Sequence, residues 1–155
     1  MACPFFMPVE RMDSSLWPHA ARLPLGAGWS GRCTAQSAEG GMPSEQNLRE
    51  YCNLGYARNC GRLPTERAAD AVRFGVVYDR QGEIAVQYVM EIAYRPGSHG
   101  RLLYNISSNS WEREHDDSRI QRMAGCYLEA YLLRRQAASE EIADVHPVKV
   151  RKLSL

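Results

Sequence analysis

The sequence lacks several features that assign a protein to a class directly. No apolar run approaches the roughly 20 residues that a membrane-spanning helix needs. Basic and acidic residues number 19 and 18 and are interspersed, so neither a nucleic acid nor an anionic membrane is indicated as a partner. The first residues contain no basic leader and meet proline too early for a signal peptide, which favours a cytoplasmic protein.

Motifs that carry catalytic chemistry are also lacking. Asp116 and Asp117 precede a predicted helix, where such residues commonly serve as caps rather than as paired catalytic acids. Gly26, Gly28 and Gly31 follow no predicted strand, and the lysine of a phosphate-binding loop does not follow them. An enzyme is therefore the less favoured hypothesis.

The first 43 residues are rich in proline, glycine, tryptophan and arginine and show no sustained helical or strand period. A short helix is predicted over 45–53, with Gly55 as its C-cap, and a second short helix over 64–70. Because little regular structure is expected over 1–63, something other than backbone ladders should order this region.

A period-two pattern begins near residue 72 and predicts a β-meander. Apolar residues alternate over 72–78 and over 84–94, and a tight turn at 80–82 joins the two strands. A second turn is predicted at 96–100, where proline and glycine cluster, and a third strand over 102–106.

A long helix is predicted to open at Asp116 and to cover the apolar face of this sheet. At 155 residues the chain fits one domain. The predicted fold is α+β: a three-stranded antiparallel β-meander packed against a long C-terminal helix, with an irregular cysteine-tethered N-terminal region. We divide it into a cysteine-rich metal-binding region (1–63), a meander-plus-helix core of the same domain (64–137) and a polar, flexible tail (138–155).

Four of the five cysteines, Cys3, Cys33, Cys52 and Cys60, lie in the region with the least regular structure. In a reducing compartment such thiols are more often ligands or buried apolar groups than disulfides, and the odd total leaves one out of any pairing scheme. Four thiolates complete either a tetrahedral zinc site or a cubane iron–sulfur cluster. On one continuous helix the last two would lie roughly 12 Å apart, so Gly55 is predicted to end the helix between them.

The spacing of the cysteines favours iron over zinc. Structural zinc sites usually take ligands in pairs two to four residues apart, and no such pair occurs here. Well-separated single cysteines suit the larger cubane, and Pro4 after Cys3 matches the Cys-Pro step of ferredoxin motifs. Two alternatives stay open: a zinc site, and four ordinary buried thiols.

The remaining candidates have simpler interpretations. Cys126 falls on the apolar stripe of the predicted long helix and is interpreted as a core thiol. His19 lies inside the cysteine-rich region and would be the substitute ligand if Cys3 were not used. His99 and His115 belong to no metal or triad spacing and are interpreted as surface residues.

The run from Tyr51 and Cys52 through Cys60 to Pro64 resembles four-cysteine modules of uncharacterised bacterial proteins, with Cys3 and Cys33 as the earlier two cysteines. In those modules the proline directly follows the last cysteine, whereas here it lies four residues beyond it. The resemblance covers about 40% of the chain. It implies metal or iron–sulfur binding and carries no reaction.

These observations predict a small metal-binding protein with one [4Fe-4S] cluster on the four N-terminal cysteines. The cluster would serve electron transfer, redox sensing or structural support in a complex, and a protein partner is expected. The alternative is a protein-interaction module that zinc stabilises or that holds no metal. An enzyme that uses the centre ranks last, because no acid–base residues accompany it.

Overall fold

The computed structural model describes residues 1–35, 41–56 and 60–145. The described residues form an α+β fold with a two-stranded antiparallel sheet, a four-stranded antiparallel sheet and a long C-terminal helix. The strands are β1 (Phe6–Arg11), β2 (Trp29–Cys33), β3 (Ala71–Arg80), β4 (Glu83–Ile92), β5 (Arg95–Asn105) and β6 (Ser110–Arg113). The helices are α1 (Glu45–Asn47), which a π-helical turn (Leu48–Cys52) continues, and α2 (Ser118–Val145).

The predicted three-stranded meander is wrong, because the large sheet has four strands in the order β3-β4-β5-β6. The added strand, β6, is only four residues long, too short to show a periodic pattern in the sequence. Its Trp111 lies opposite Tyr104 of β5, and the two rings meet edge to face with centroids 5.3 Å apart. Such an aromatic pair stabilises the short strand.

The turn predicted at 96–100 is also wrong, since these residues lie within β5. The chain reverses instead at Ala93 and Tyr94, whose φ angles are +49° and +62°. Left-handed φ at both central residues is the geometry of a two-residue hairpin turn, which usually selects glycine or asparagine. Gly100 sits in the strand because the ring of Tyr88 fills the space that a side chain there would need.

The prediction that the N-terminal region lacks regular structure is also wrong, because it contains a two-stranded sheet. Strands β1 and β2 pair antiparallel, with Phe6 opposite Cys33, and the register shifts between Pro8 and Glu10. On β2 the alternate residues Trp29, Gly31 and Cys33 are buried. The signal is short and interrupted by proline and glycine, so the period did not stand out in the sequence.

The helix predicted over 64–70 is absent from the structure, which has bends and irregular backbone there. Arg67 closes this segment: its Nη1 donates to the carbonyl of Pro64 at 2.7 Å, and its Nε donates to Asp70 at 2.5 Å. Asp70 in turn accepts the backbone N–H of Ala93 at 2.7 Å, which ties the segment to the β4–β5 turn. Side-chain bonds of this kind compete with helix formation.

Helix α2 begins at Ser118, two residues after the predicted start, and Asp117 accepts the N–H of Arg119 at 2.9 Å as a cap. It packs against β1, β3 and β4, and its residues Ile120 and Met123 are buried in the core. Of the predicted tail, residues 138–145 continue this helix, and the rest lies outside the described residues. No helix in the described part of the chain is long and apolar enough to cross a membrane.

Candidate metal centre

One cavity brings together the four cysteines that the sequence singled out. We call it the cysteine cavity, and its lining atoms surround about 360 Å³ of space that no atom fills, part of it open to solvent. It lies between the two-stranded sheet and the chain around α1. It is lined by Cys3, Phe5, Phe6, Cys33, Ala35, Pro43, Asn47, Tyr51, Cys52, Cys60, Arg62 and Leu63.

Cys3 is held by a turn that leads into β1. The N–H of Phe6 donates to the carbonyl of Cys3 at 3.1 Å, and Pro4 occupies the second position of the turn, where its fixed φ is favoured. On the other side, Ala2 exchanges two backbone hydrogen bonds of 2.7 and 2.9 Å with Val72. Cys3 is therefore fixed between the two sheets, with 7% of its surface exposed.

Cys33 ends strand β2 and lies opposite Phe6 in the ladder. The next residue, Thr34, donates both its N–H (2.8 Å) and its hydroxyl (2.9 Å) to the carbonyl of Phe5. The turn that carries Cys3 and the strand that carries Cys33 are thus joined by backbone bonds. Cys33 is buried, with 8% exposure.

Cys52 lies at the end of the π-helical turn. Ser44 caps the preceding helix by accepting the N–H of Asn47 at 3.2 Å. The helical turn ends at Cys52 with Asn53 as its C-cap, two residues before the predicted cap at Gly55. Gly55 does have the predicted left-handed backbone, with φ of +69°, and donates its N–H to the carbonyl of Tyr51 at 3.1 Å. Cys52 points into the cysteine cavity from this turn and is 8% exposed.

Cys60 completes the set and is the one of the four that is partly exposed. A turn follows it, in which the N–H of Leu63 donates to the carbonyl of Cys60 at 3.1 Å. Residues 57–59, which join the segment after Gly55 to Cys60, lie outside the described residues. Even so, Cys52 and Cys60 reach the same cavity.

Burial governs the chemistry of two of these thiols. Burial raises the pKa of Cys3 to about 11. The backbone N–H groups of Phe5 and Phe6 have a smaller, opposite effect, because they favour the thiolate and so lower this pKa. Burial likewise raises the pKa of Cys52 to about 12, and negative charge on the other three sulfurs adds to this effect. Without a metal, both thiols are neutral at pH 7, so a metal must displace their protons.

Arg62 brings a positive charge to the wall of the cysteine cavity. Its side chain lines the cavity, and its guanidinium acts to lower the pKa of Cys52 against the larger effect of burial. Arg119 does not line the cavity: its guanidinium lies 5.6 Å from the ring centroid of Phe5 and pairs with Asp117 at 2.5 Å.

The spacing of the thiols matters for what they can hold. Within residues 1–35, 41–56 and 60–145, no group of three or more His, Cys, Asp or Glu side chains is arranged to hold a metal ion. A tetrahedral zinc site with bonds of about 2.3 Å requires sulfurs about 3.8 Å apart. The four thiols therefore share a cavity without forming a ready site for a single ion.

The cavity itself is small, with a volume of about 10 Å³, which is room for about one water molecule. A centre larger than one ion must widen it. Cys60 is the partly exposed cysteine of the four, whereas Cys3, Cys33 and Cys52 are buried.

The other sequence candidates lie elsewhere. Cys126 is fully buried in the core on α2, as predicted, and does not line the cysteine cavity. His19 is exposed and precedes a 3₁₀ turn, and His99 is exposed on β5. The ring of His115 packs edge-on against Tyr88, with centroids 4.6 Å apart.

Two residues near the cavity escaped the sequence interpretation. Arg62 lies two positions after Cys60, and Asn53 directly follows Cys52. Asn53 is 2% exposed and makes three side-chain hydrogen bonds. Their positions next to or near a candidate ligand could have drawn attention to both residues in the sequence. Neither arginine nor asparagine is a usual ligand for iron or zinc, so the search for ligands passed over them.

Comparison of the chain with known protein families, with curated proteins and with solved structures finds no match. The functional argument therefore rests on the cysteine cavity itself.

Proposed function

We propose that this protein binds one [4Fe-4S] cluster, with Cys3, Cys33, Cys52 and Cys60 as its four thiolate ligands. The observation that carries the proposal is that these four thiols, from separate segments of the chain, line one cavity. Four cysteine thiolates are the full ligand complement of a cubane cluster. The cluster serves electron transfer, redox sensing or structural support within a complex.

Independent burial of four thiols accounts less well for this arrangement. Free cysteine is often buried, so burial of any one thiol needs no special reason. Random placement in a core does not, however, gather residues 3, 33, 52 and 60 around one cavity while the fifth cysteine, Cys126, lies apart in the main core. A shared ligand explains both the gathering and the exception.

A cubane also suits the spacing better than zinc does. Its four irons occupy separate corners, so each thiolate binds a different metal and the sulfurs stand wider apart than around a single ion. The four cysteines stand singly at positions 3, 33, 52 and 60, without the close pair that is usual in structural zinc sites. Zinc is accordingly an outcome of the test and not the leading proposal.

The residues around the sulfurs have the properties that a cluster needs. A cubane with four thiolates carries net negative charge, which Arg62 offsets from the cavity wall. The N–H groups of Phe5 and Phe6 favour the thiolate of Cys3, and hydrogen bonds to ligand sulfurs raise a cluster's reduction potential. Cys60 is the partly exposed cysteine of the four, so we propose that a protein redox partner docks on that side.

The test is anaerobic purification and reconstitution with iron and sulfide, followed by iron and sulfide analysis and visible spectroscopy. We expect about four irons and four sulfides per chain and a brown protein absorbing at about 400 nm. Replacement of any one of the four cysteines by Ser should lower the iron content. Cys126→Ser is the matched control, because its thiol is buried outside the cysteine cavity.

Two outcomes would overturn the proposal. A colourless protein with one zinc per chain would assign the same residues to a structural zinc site. Four serine variants with the metal content of the parent protein would remove the metal centre altogether and leave a cavity lined by ordinary buried thiols.

A further inference from the structure

The buried side chain of Asn53 links the helical turn that carries Cys52 to strand β2, which carries Cys33. Its Oδ1 accepts the N–H of Trp29 at 2.9 Å, and its Nδ2 donates to the carbonyl of Trp29 at 3.0 Å. The same Nδ2 donates to the carbonyl of Leu48 at 2.9 Å. All three bonds are buried, so they exchange little with water.

The pair of bonds to Trp29 has the pattern of a strand pairing. In an antiparallel ladder, a residue gives its N–H and its C=O to one neighbouring residue. Trp29 is the first residue of β2, and the side-chain amide of Asn53 takes the place of a third strand on the side away from β1. Asn53 thereby satisfies an N–H and a carbonyl that would otherwise be buried without partners.

The third bond reaches back into the π-helical turn. The carbonyl of Leu48 accepts both the side-chain Nδ2 of Asn53 at 2.9 Å and its backbone N–H at 3.2 Å. The turn from 48 to 53 is therefore closed on itself by Asn53 and fastened to β2 by the same residue. Cys52 lies inside this closed turn, and Cys33 lies on β2.

We propose that Asn53 is the positioning residue of the metal centre: it fixes Cys52 relative to Cys33 without itself touching the metal. This inference rests on the proposed function. Backbone bonds already join the Cys3 turn to β2 through Phe5 and Thr34. With Asn53, the segments that carry Cys3, Cys33 and Cys52 are joined in one hydrogen-bonded frame.

The carboxamide is required because the site needs both an acceptor and two donated hydrogens. Asn53→Asp retains the acceptor for the N–H of Trp29 but sets carboxylate oxygens against the carbonyls of Trp29 and Leu48. Asn53→Ala removes all three bonds and leaves the same groups buried without side-chain partners. Neither change alters a thiol.

The experiment measures how fast the reconstituted protein loses its cluster to an iron chelator, under anaerobic conditions. We expect Asn53→Ala and Asn53→Asp to lose it at least tenfold faster than the parent. After reduction, the cluster that remains in both Asn53 variants should show an electron paramagnetic resonance signal that differs from that of the parent, because the Cys52 thiolate that binds it is displaced. A residue that only supports the fold would leave this signal unchanged.

Asn105→Ala is the matched control. The side chain of Asn105 also makes three hydrogen bonds, to the N–H groups of Ser107 and Ser108 and to Glu112, but it lies at the β5–β6 turn. This variant should lose its cluster at the parent rate. Hydrogen exchange of β3 to β5 establishes that each variant retains the large sheet.

The outcomes separate the two proposals. A parent protein that takes up no cluster contradicts the proposed function, whereas parent-like cluster loss in the Asn53 variants contradicts the role of Asn53 alone. Equal acceleration in Asn105→Ala would show a general effect of stability. Loss of exchange protection across β3 to β5 in both Asn53 variants would show that Asn53 supports the whole fold and not the centre.

Discussion

Replacement of Gly55 by alanine should displace Cys3, the first of the proposed ligands, although the alanine side chain touches no sulfur. Gly55 has φ of +69°, and a Cβ added there would lie 1.8 Å from the carbonyl oxygen of Met1 and 2.3 Å from its carbon. A normal contact between such atoms exceeds 3 Å. The Met1–Ala2 backbone must therefore move away by about 1 Å or more, and Cys3 follows directly in the chain.

The cost follows from two effects. A left-handed backbone costs a residue with a Cβ about 1–2 kcal/mol. The displacement also strains the two backbone hydrogen bonds between Ala2 and Val72, at 2.7 and 2.9 Å, each worth about 1 kcal/mol. Together these effects predict a loss of about 2–4 kcal/mol in the free energy of unfolding.

The assay combines urea unfolding of the metal-free protein with the iron content after reconstitution. Gly61→Ala is the matched control, since a Cβ at Gly61, next to Cys60, meets no atom within 4 Å. We expect Gly55→Ala to lose both stability and iron, and Gly61→Ala to retain both. Parent-like stability and iron content in Gly55→Ala would refute the argument that Gly55 holds the Cys3 segment in place.

Three further changes test other parts of the account. Cys126→Ala should cost about 1 kcal/mol of stability and leave the iron content unchanged, and loss of iron would make Cys126 a ligand. Ala93→Gly should raise the melting temperature by relieving the left-handed backbone (φ +49°), worth about 1 kcal/mol; a lower melting temperature would contradict this. In the metal-free protein, Cys3 and Cys52 have pKa values raised from 9.0 to about 11 and about 12, so their thiols ionise in the unfolded chain at lower pH than in the folded protein. Their contribution to the free energy of unfolding is therefore complete below pH 9.0 and falls as the pH rises toward the folded pKa values. The urea concentration at the unfolding midpoint should fall between pH 7 and 11, and it should fall less steeply in Cys52→Ala than in the parent. A midpoint that does not change with pH, or the same slope in both proteins, would contradict this prediction.

The parts of the fold that were predictable are those in which local pattern and tertiary burial agree. In β3 and β4 the alternating residues Val72, Phe74, Ile84 and Val86 face the core, so the period was visible in the sequence. The turn at 80–82 was also predictable, because it contains a glycine, and Gly82 adopts a left-handed φ of +82°.

Elsewhere tertiary contacts override the local pattern. Ala93 and Tyr94 adopt left-handed φ without glycine, and the stacking of Tyr94 on Tyr56 at 4.2 Å supports that turn from outside. Strand β1 contains Pro8 and pairs with β2, some twenty residues away, so no local period marks it. Contacts of this kind exist only once the chain is folded.

The candidate site divides in the same way. The spacing of the cysteines and the left-handed backbone at Gly55 were readable because ligand chemistry and left-handed backbone each demand particular residue types. Arg62 and Asn53 were not, since arginine and asparagine occur widely and only the fold brings them to the cavity. Sequence therefore indicates the candidate ligands more readily than the residues proposed to position them.

Native mass spectrometry of the anaerobically reconstituted protein tests the central claim most directly. The account predicts one species that carries the mass of four irons and four sulfides on a single chain. That added mass should be retained in Cys126→Ser and lost or reduced in the serine variants of Cys3, Cys33, Cys52 and Cys60. A chain with no added mass, or one that carries a single zinc ion, would contradict it.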